Sequence, residues 1–124
     1  MSRPLLPAIM LAVLPLAASA QGLIEWKGDA RYEKTQTIAP GKFAELCTKL
    51  SAGSEVQWSF AADAPLDFNI HYHAGNRVEY PAKADGSRRE SGVLVVPQAQ
   101  DYCWMWTNRG ATPSGVKVTL DRPR

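Results

Sequence analysis

The sequence is poor in cysteine and histidine and has almost no net charge. Its 124 residues include two Cys, two His and 14 Lys+Arg against 12 Asp+Glu, for a formal charge of +2. No Lys/Arg run exceeds the pair Arg88-Arg89, which argues against a nucleic-acid-binding protein because such proteins cluster their basic residues. The length allows one domain at most, and a hydrophobic content of 45% excludes a wholly disordered chain.

Long hydrophobic runs are also missing, apart from one near the N-terminus. Arg3 precedes an apolar run from Leu5 to Leu16, and the small residues Ala18-Ser19-Ala20 follow it. This is the order of a secretory signal peptide with its cleavage site. The run is about twelve residues long, whereas a helix needs roughly 20 to span a membrane. The sequence therefore predicts a signal peptide over residues 1–20.

Cleavage after Ala20 predicts a single exported domain over residues 21–124. No second apolar segment of spanning length follows, so we expect a periplasmic or secreted protein with no membrane span once the signal is removed. Residues 21–30 are expected to form a loosely ordered lead-in. The core of the domain is expected at about residues 31–121.

Apolar and polar residues alternate along several segments of this domain, which is the periodicity of β-strands. In segments 54–62 and 66–73 the apolar face carries Val56, Trp58, Phe60, Leu66, Phe68, Ile70 and Tyr72. Further strands are predicted at 34–38, 43–50, 92–97, 100–108 and 116–121. Turn residues lie at Pro40-Gly41, Ala52-Gly53, Gly75-Asn76, Asp85-Gly86 and Pro113-Ser114-Gly115. No helical stripe is present, so the sequence predicts an all-β fold, an antiparallel β-sandwich of about seven or eight strands.

The two cysteines lie on predicted strands whose larger apolar sets point the other way. Cys47 is opposite the aliphatic set of its strand, and Cys103 shares a face with Met105, opposite the aromatic set. If the apolar sets face the core, both thiols point away from it and can meet across neighbouring strands, where opposed Cα atoms are ~4.5 Å apart. A disulfide is the expected state of two Cys in an exported chain. Free thiols and metal ligation are the alternatives.

Several short motifs of the domain form a familiar succession. They are Glu45-Leu46-Cys47, Leu50-x-x-Gly53, Val56-x-Trp58-x-Phe60, Pro65-Leu66-Asp67-Phe68-Asn69-Ile70, Asp101-Tyr102-Cys103-Trp104-Met105-Trp106-Thr107-Asn108 and Val116-Lys117-Val118-Thr119-Leu120. Together, over about residues 43–121, they resemble a GOLD (Golgi dynamics) domain. The resemblance implies a compact β-sandwich with one disulfide, Cys47 and Cys103 in the matching places, and contacts with protein or lipid rather than catalysis. The membrane helix, coiled coil and sorting tail of cargo receptors are missing, so the chain resembles a stand-alone, bacterial-type periplasmic member.

His71 and His73 are the strongest candidates for a site. Residues i and i+2 of a strand project from the same face, so both imidazoles can reach one metal ion. Met105 is a candidate third ligand, because imidazole and thioether donors suit copper better than magnesium or calcium. Asp67 and Asn69 continue the polar face as a candidate ligand face. The other interpretation is that both histidines are ordinary exposed side chains of a half-buried strand.

The remaining candidates for chemistry are weaker. Four large aromatic side chains are candidates for a stacking platform: Trp58, Tyr102, Trp104 and Trp106. Such side chains more often form the core of a domain of this size. The sequence has no Gly-x-Ser-x-Gly motif, no Gly-rich phosphate loop and no paired carboxylates within one motif, so it offers no catalytic signature.

We therefore expect an exported, non-catalytic binding or interaction module with no cofactor. Its partner is expected to be a protein or a small ligand, of unknown identity, and not a nucleic acid. The alternative is a small periplasmic protein that binds copper or zinc through His71 and His73.

Overall fold

The structure is a computed structural model that describes residues 2, 4, 7, 8, 20–28 and 30–123. Within those residues it has no helix, and so none long and apolar enough to cross a membrane. Its strands are β1 (Ala20–Leu23), β2 (Arg31–Ile38), β3 (Phe43–Leu50), β4 (Glu55–Ala74), β5 (Arg77–Val95), β6 (Gln100–Thr107) and β7 (Ser114–Asp121). The predicted signal peptide falls almost wholly outside the described residues and stays a prediction.

The seven strands form one curled sheet in the order β1-β3-β6-β4-β7-β2, with β5 paired to β4. Residues 57–62 of β4 pair with β7, whereas residues 67–71 pair with β6. The long strand β4 thus belongs to both halves of the sheet, which fold over a common core. All pairings are antiparallel except that of β1 with β3, which is parallel. The predicted all-β sandwich is confirmed, as a curled mixed sheet.

Alternate residues of the strands point into this core, as the period of two requires. Tyr102, Trp104 and Trp106 are completely buried, so the aromatic set of β6 forms the core and not an exposed platform. Phe60 and Phe68 pack on Trp106, with ring centroids 5.8 and 5.6 Å away, respectively. Aromatic rings bury roughly 150–250 Å² each, which gives a domain of this size much of its hydrophobic stabilisation.

Strand β4 continues where the sequence predicts a break between two strands. Its pairing with β5 shifts register between Ala61 and Leu66, and the chain changes from one half of the sheet to the other there. Ser114 is fully buried at this corner. Its hydroxyl donates a hydrogen bond to the Ala64 carbonyl oxygen (2.9 Å) and accepts one from the Ala64 amide (3.2 Å), which stabilises the bend. The Asp63 carboxylate accepts from a backbone amide of β7 (3.0 Å). Local polar bonds at the bend therefore replace the missing ladder bonds.

The predicted turn at Asp85-Gly86 is wrong, because β5 runs through it without reversing. Gly86 has a φ of 61°, a backbone conformation that favours glycine, and its amide donates to Asp67 Oδ1 of β4 (2.8 Å). It marks an irregularity inside a 19-residue strand. The hairpin that joins β4 to β5 is the one predicted at Gly75-Asn76, between the paired residues Ala74 and Arg77.

Residues 21–28 are more ordered than the expected lead-in, which the sequence places at residues 21–30. Strand β1 pairs with β3, and Ile24 is buried in the core, so the core begins before residue 31. Trp26 packs against that core and donates its indole N–H to Thr48 Oγ1 (3.1 Å). The guanidinium of Arg122 lies 4.1 Å from the Trp26 ring centroid, which ties the two ends of the domain together.

The predicted disulfide is present between Cys47 of β3 and Cys103 of β6. The two residues are directly opposed in the β3–β6 register, on the face away from the core. The bridge therefore lies on the outer surface of the sheet, as the alternation of both strands predicts.

Candidate functional site

The residues that the sequence singles out meet on the outer face of β6, β4 and β5. Here they line a cleft of about 450 Å³, which we name the His71 cleft. Its lining is Asp67, Phe68, Asn69, His71, His73, Val78, Tyr80, Lys83, Asp85, Met105, Thr107 and Arg109. The strand register explains the grouping, since Met105 pairs with Asn69 and Asn69 pairs with Lys83.

His71 points outward, as predicted, but it is not exposed. Only 7% of its surface is accessible, because the rings of His73 and Tyr80 lie beside it, with centroids 5.6 and 6.1 Å away. The interpretation of His71 as an ordinary exposed side chain is therefore wrong. Alternation along a strand predicts which face a residue occupies, but not what a neighbouring strand lays over it.

A hydrogen bond fixes the orientation of the His71 ring. Its Nδ1 lies 2.7 Å from Asn69 Oδ1, and an amide oxygen can only accept, so Nδ1 carries the proton. In the neutral ring Nε2 then has a free lone pair. Metal-binding histidines are held in this way, by a hydrogen bond from the nitrogen that does not ligate.

Burial also controls the charge of this ring. Loss of hydration lowers the pKa of His71 below its ordinary value, and the neighbouring His73 lowers it further, while the carboxylate of Glu45 opposes both effects. The neutral ring is therefore favoured in the folded protein around neutral pH.

The carboxylate of Asp67 and the side-chain amide of Asn69 already have hydrogen-bond partners within the cleft. The Arg109 guanidinium Nε donates to Asp67 Oδ2 at 2.6 Å, and Asp67 Oδ1 accepts the amide of Gly86. Asn69 is engaged with His71. Asp67 and Asn69, which the sequence predicts as a ligand face, thus bond to neighbouring residues of the cleft. The ammonium group of Lys83 lies 5.6 Å from the centroid of the Tyr80 ring.

The structure adds one acidic residue, Glu45, which the sequence indicates only as part of a motif and not as a candidate ligand. Within the described residues, the one group of three His, Cys, Asp or Glu side chains with ligand atoms all within 4.8 Å of one another is Glu45, His71 and Cys103. His73 and Met105 line the same cleft as His71. His73 does not belong to the group of Glu45, His71 and Cys103. Glu45 was detectable in principle, because it lies two residues before Cys47 and hence on the same face of β3.

The fold and the cleft define a β-sandwich domain that carries a concave, mixed-charge surface. No protein-family model and no curated protein matches the chain, so the GOLD resemblance stays a prediction. Among solved structures, the chain is similar to the periplasmic inhibitor PliG of g-type lysozyme from Aeromonas hydrophila (TM-score 0.69, 11% identity, 86% of this chain and 98% of that one). PliG from Salmonella Typhimurium gives a TM-score of 0.64 at 11% identity, covering 85% and 100%.

A third similar structure is CorA, a surface-associated copper-binding protein of Methylomicrobium album BG8. It has a TM-score of 0.57 at 11% identity, covering 86% of this chain and 99% of that one. At such identities the likeness establishes a shared fold. The chain therefore has the β-sandwich architecture of known periplasmic and surface-associated proteins, over nearly their whole length.

Proposed function

We propose that this chain is an exported, non-catalytic module that binds a protein partner through the His71 cleft. The observation that carries the proposal is the composition of that surface. Tyr80 and Val78 are 52% and 38% exposed and lie among charges of both signs, from Asp85, Lys83 and Arg109. Protein interfaces combine an aromatic or apolar centre with a polar rim in this manner.

The surface is also held in place before any partner binds. The Asp67–Arg109 ion pair and the hydrogen bonds to Gly86 and within the Asn69–His71 pair fix the floor of the cleft. A preorganised surface loses less side-chain entropy on association than a flexible one. These contacts support the cleft as a docking surface.

We further propose g-type lysozyme as the partner, and a periplasmic or secreted location. The support is the fold shared with two PliG proteins over 85% or more of this chain, together with the predicted signal peptide. The GOLD resemblance, which is a prediction from the sequence, implies contacts with protein or lipid rather than catalysis.

Calorimetry with purified, disulfide-bonded protein and g-type lysozyme tests this proposal. We expect binding, and we expect Tyr80→Ala to weaken it by about 30-fold, the loss that corresponds to roughly 2 kcal/mol for a central aromatic contact. Val95→Ala is the matched control, because Val95 is on the same strand, is 60% exposed and pairs with Glu55 at the far end. No binding by the parent protein, or equal losses in both variants, would refute the assignment.

A second candidate function is binding of copper or zinc by His71, His73 and Met105. It is favoured by the Asn69 hydrogen bond, which leaves Nε2 of His71 as an acceptor, and by the 5.6 Å separation of the two imidazole centroids. Titration of the disulfide-bonded protein with each metal tests it. The expected result is one equivalent bound and a loss of at least tenfold in affinity in His73→Ala; micromolar or weaker binding that His73→Ala leaves unchanged excludes this site.

A further inference from the structure

Three potential metal ligands lie in one cross-strand row on the outer face of the sheet. Cys47 of β3 is directly opposite Cys103 of β6, and Cys103 is directly opposite His71 of β4. Side chains in such positions have Cβ atoms roughly 4.5–5.5 Å apart. The row therefore places two sulfur atoms and an imidazole side by side, with no loop closure needed to assemble them.

Glu45 adds a fourth donor beside this row. Its carboxylate oxygen lies 3.2 Å from Cys47 Sγ, and its ligand atom is within 4.8 Å of those of His71 and Cys103. The group is partly or wholly buried, with Cys103 and His71 at 7% exposure each. A carboxylate, an imidazole and two sulfurs thus share one small, largely desolvated volume.

We propose that reduction of the Cys47–Cys103 disulfide converts this group into a zinc site formed by Cys47, Cys103, His71 and Glu45. This site shares His71 with the protein-binding surface proposed above, but Cys47, Cys103 and Glu45 lie outside the lining of that cleft. It differs from the second candidate function in its ligands and in its dependence on reduction. It shares only His71 with that candidate. The disulfide form lacks the two thiolate ligands, so it does not hold zinc at this place.

The chemistry balances with a dithiol as the reductant. One dithiol transfers two electrons and two protons to the bridge, giving the thiols of Cys47 and Cys103 and a disulfide in the reductant. Zinc binding then displaces both thiol protons, because thiolates are the ligating form. Two thiolates, one imidazole and one carboxylate make a four-coordinate set of the kinds of donor that zinc uses.

The hydrogen bond to Asn69 supports the same assignment. It holds the His71 ring with its protonated nitrogen turned to Asn69 (2.7 Å), which leaves the other nitrogen to ligate. In the disulfide form, the Glu45 carboxylate accepts a hydrogen bond from the side-chain amide of Gln21, at the long distance of 3.3 Å. Zinc would give this carboxylate a stronger partner.

Cobalt and zinc titrations of reduced and oxidised protein test the proposal. With a phosphine as reductant, we expect one Co²⁺ per chain with thiolate-to-cobalt charge-transfer absorption, displaced by one Zn²⁺. We expect zinc to bind the disulfide form at least 100-fold more weakly, and the reduced His71→Ala variant at least tenfold more weakly. Reduced Lys117→Ala, exposed on another part of the sheet, is the control and should match the parent protein. Equal zinc affinity in both redox states, or no charge-transfer band, overturns the proposal.

A single variant removes the need for a reductant. Cys47→Ala cannot form the bridge and keeps Cys103, His71 and Glu45, so we expect it to bind zinc and to unfold at a higher temperature with zinc than without. If the variant is unfolded, zinc should restore the near-ultraviolet circular dichroism of the folded chain. If zinc neither raises the unfolding temperature nor restores the folded spectrum, the proposal is contradicted. Lysozyme binding is measured on the disulfide form, so its outcome is independent of this result.

Discussion

Removal of the disulfide should cost this domain a large part of its stability. The bridge closes a loop with a sequence separation of 56 residues. In the chain-entropy treatment, a loop of that size restricts the unfolded chain by about 4 kcal/mol. Deleting both sulfur atoms from a site where Cys103 is 7% exposed adds a packing loss of about 1 kcal/mol. Since small domains are stable by roughly 5–15 kcal/mol, Cys47→Ala/Cys103→Ala is expected to unfold at much lower urea concentration.

The assay is urea unfolding followed by tryptophan fluorescence, with the buried Trp104 and Trp106 as reporters. The matched control is Lys49→Ala/Asp101→Ala, an exposed pair directly opposed on the same two strands, which should change stability by less than about 1 kcal/mol. The unbridged chain should also have a larger m-value, because its unfolded state is more expanded. A loss below about 1 kcal/mol with an unchanged m-value would refute the entropic reasoning.

Three further changes should be measurable by the same unfolding assay. Asn108→Ala removes three hydrogen bonds of a side chain that is 1% exposed and should cost roughly 2–4 kcal/mol; full stability would contradict this role. Gly92→Ala places a Cβ 2.8 Å from the Trp58 ring and should cost roughly 1–3 kcal/mol, so a neutral result would show that the ring moves freely. Because burial lowers the pKa of His71 in the folded state, its neutral form contributes stability above the unfolded-state pKa that is lost as the pH falls through the lower folded-state pKa. His71→Gln should flatten this acid-side loss, whereas Lys117→Gln, at an exposed position on another part of the sheet, should leave it unchanged; equal profiles would contradict the assignment.

The strand pattern predicted the two faces of most of the sheet because alternation is a local property of the chain. Val56 and Phe60, Leu66 and Phe68, and the aromatic set of β6 are buried as their period requires. The position of the disulfide follows from the same alternation. What alternation cannot show is connectivity: a corner held by Ser114 from a distant strand keeps β4 continuous, and neither partner is near the other in sequence.

The candidate site was predictable in part. His71, His73 and Met105 do line one cleft, since the face of each residue follows from its strand position. The burial of His71 and the proximity of Glu45 depend on which strands are neighbours, and that order is set by the tertiary fold. Turn-forming residues also predict a chain reversal where none occurs. Gly86 adopts a positive φ at an irregularity within β5, and the strand continues through it.

Mapping of the partner surface by nuclear magnetic resonance tests the central claim most directly. Labelled, disulfide-bonded protein would be titrated with unlabelled g-type lysozyme while its backbone amide signals are followed. The account predicts shifts or broadening concentrated in residues 67–73, 78–85 and 105–109, which line the His71 cleft, with little change in residues 57–62 and 117–121. No change at any amide, or changes confined to those latter segments, would contradict it.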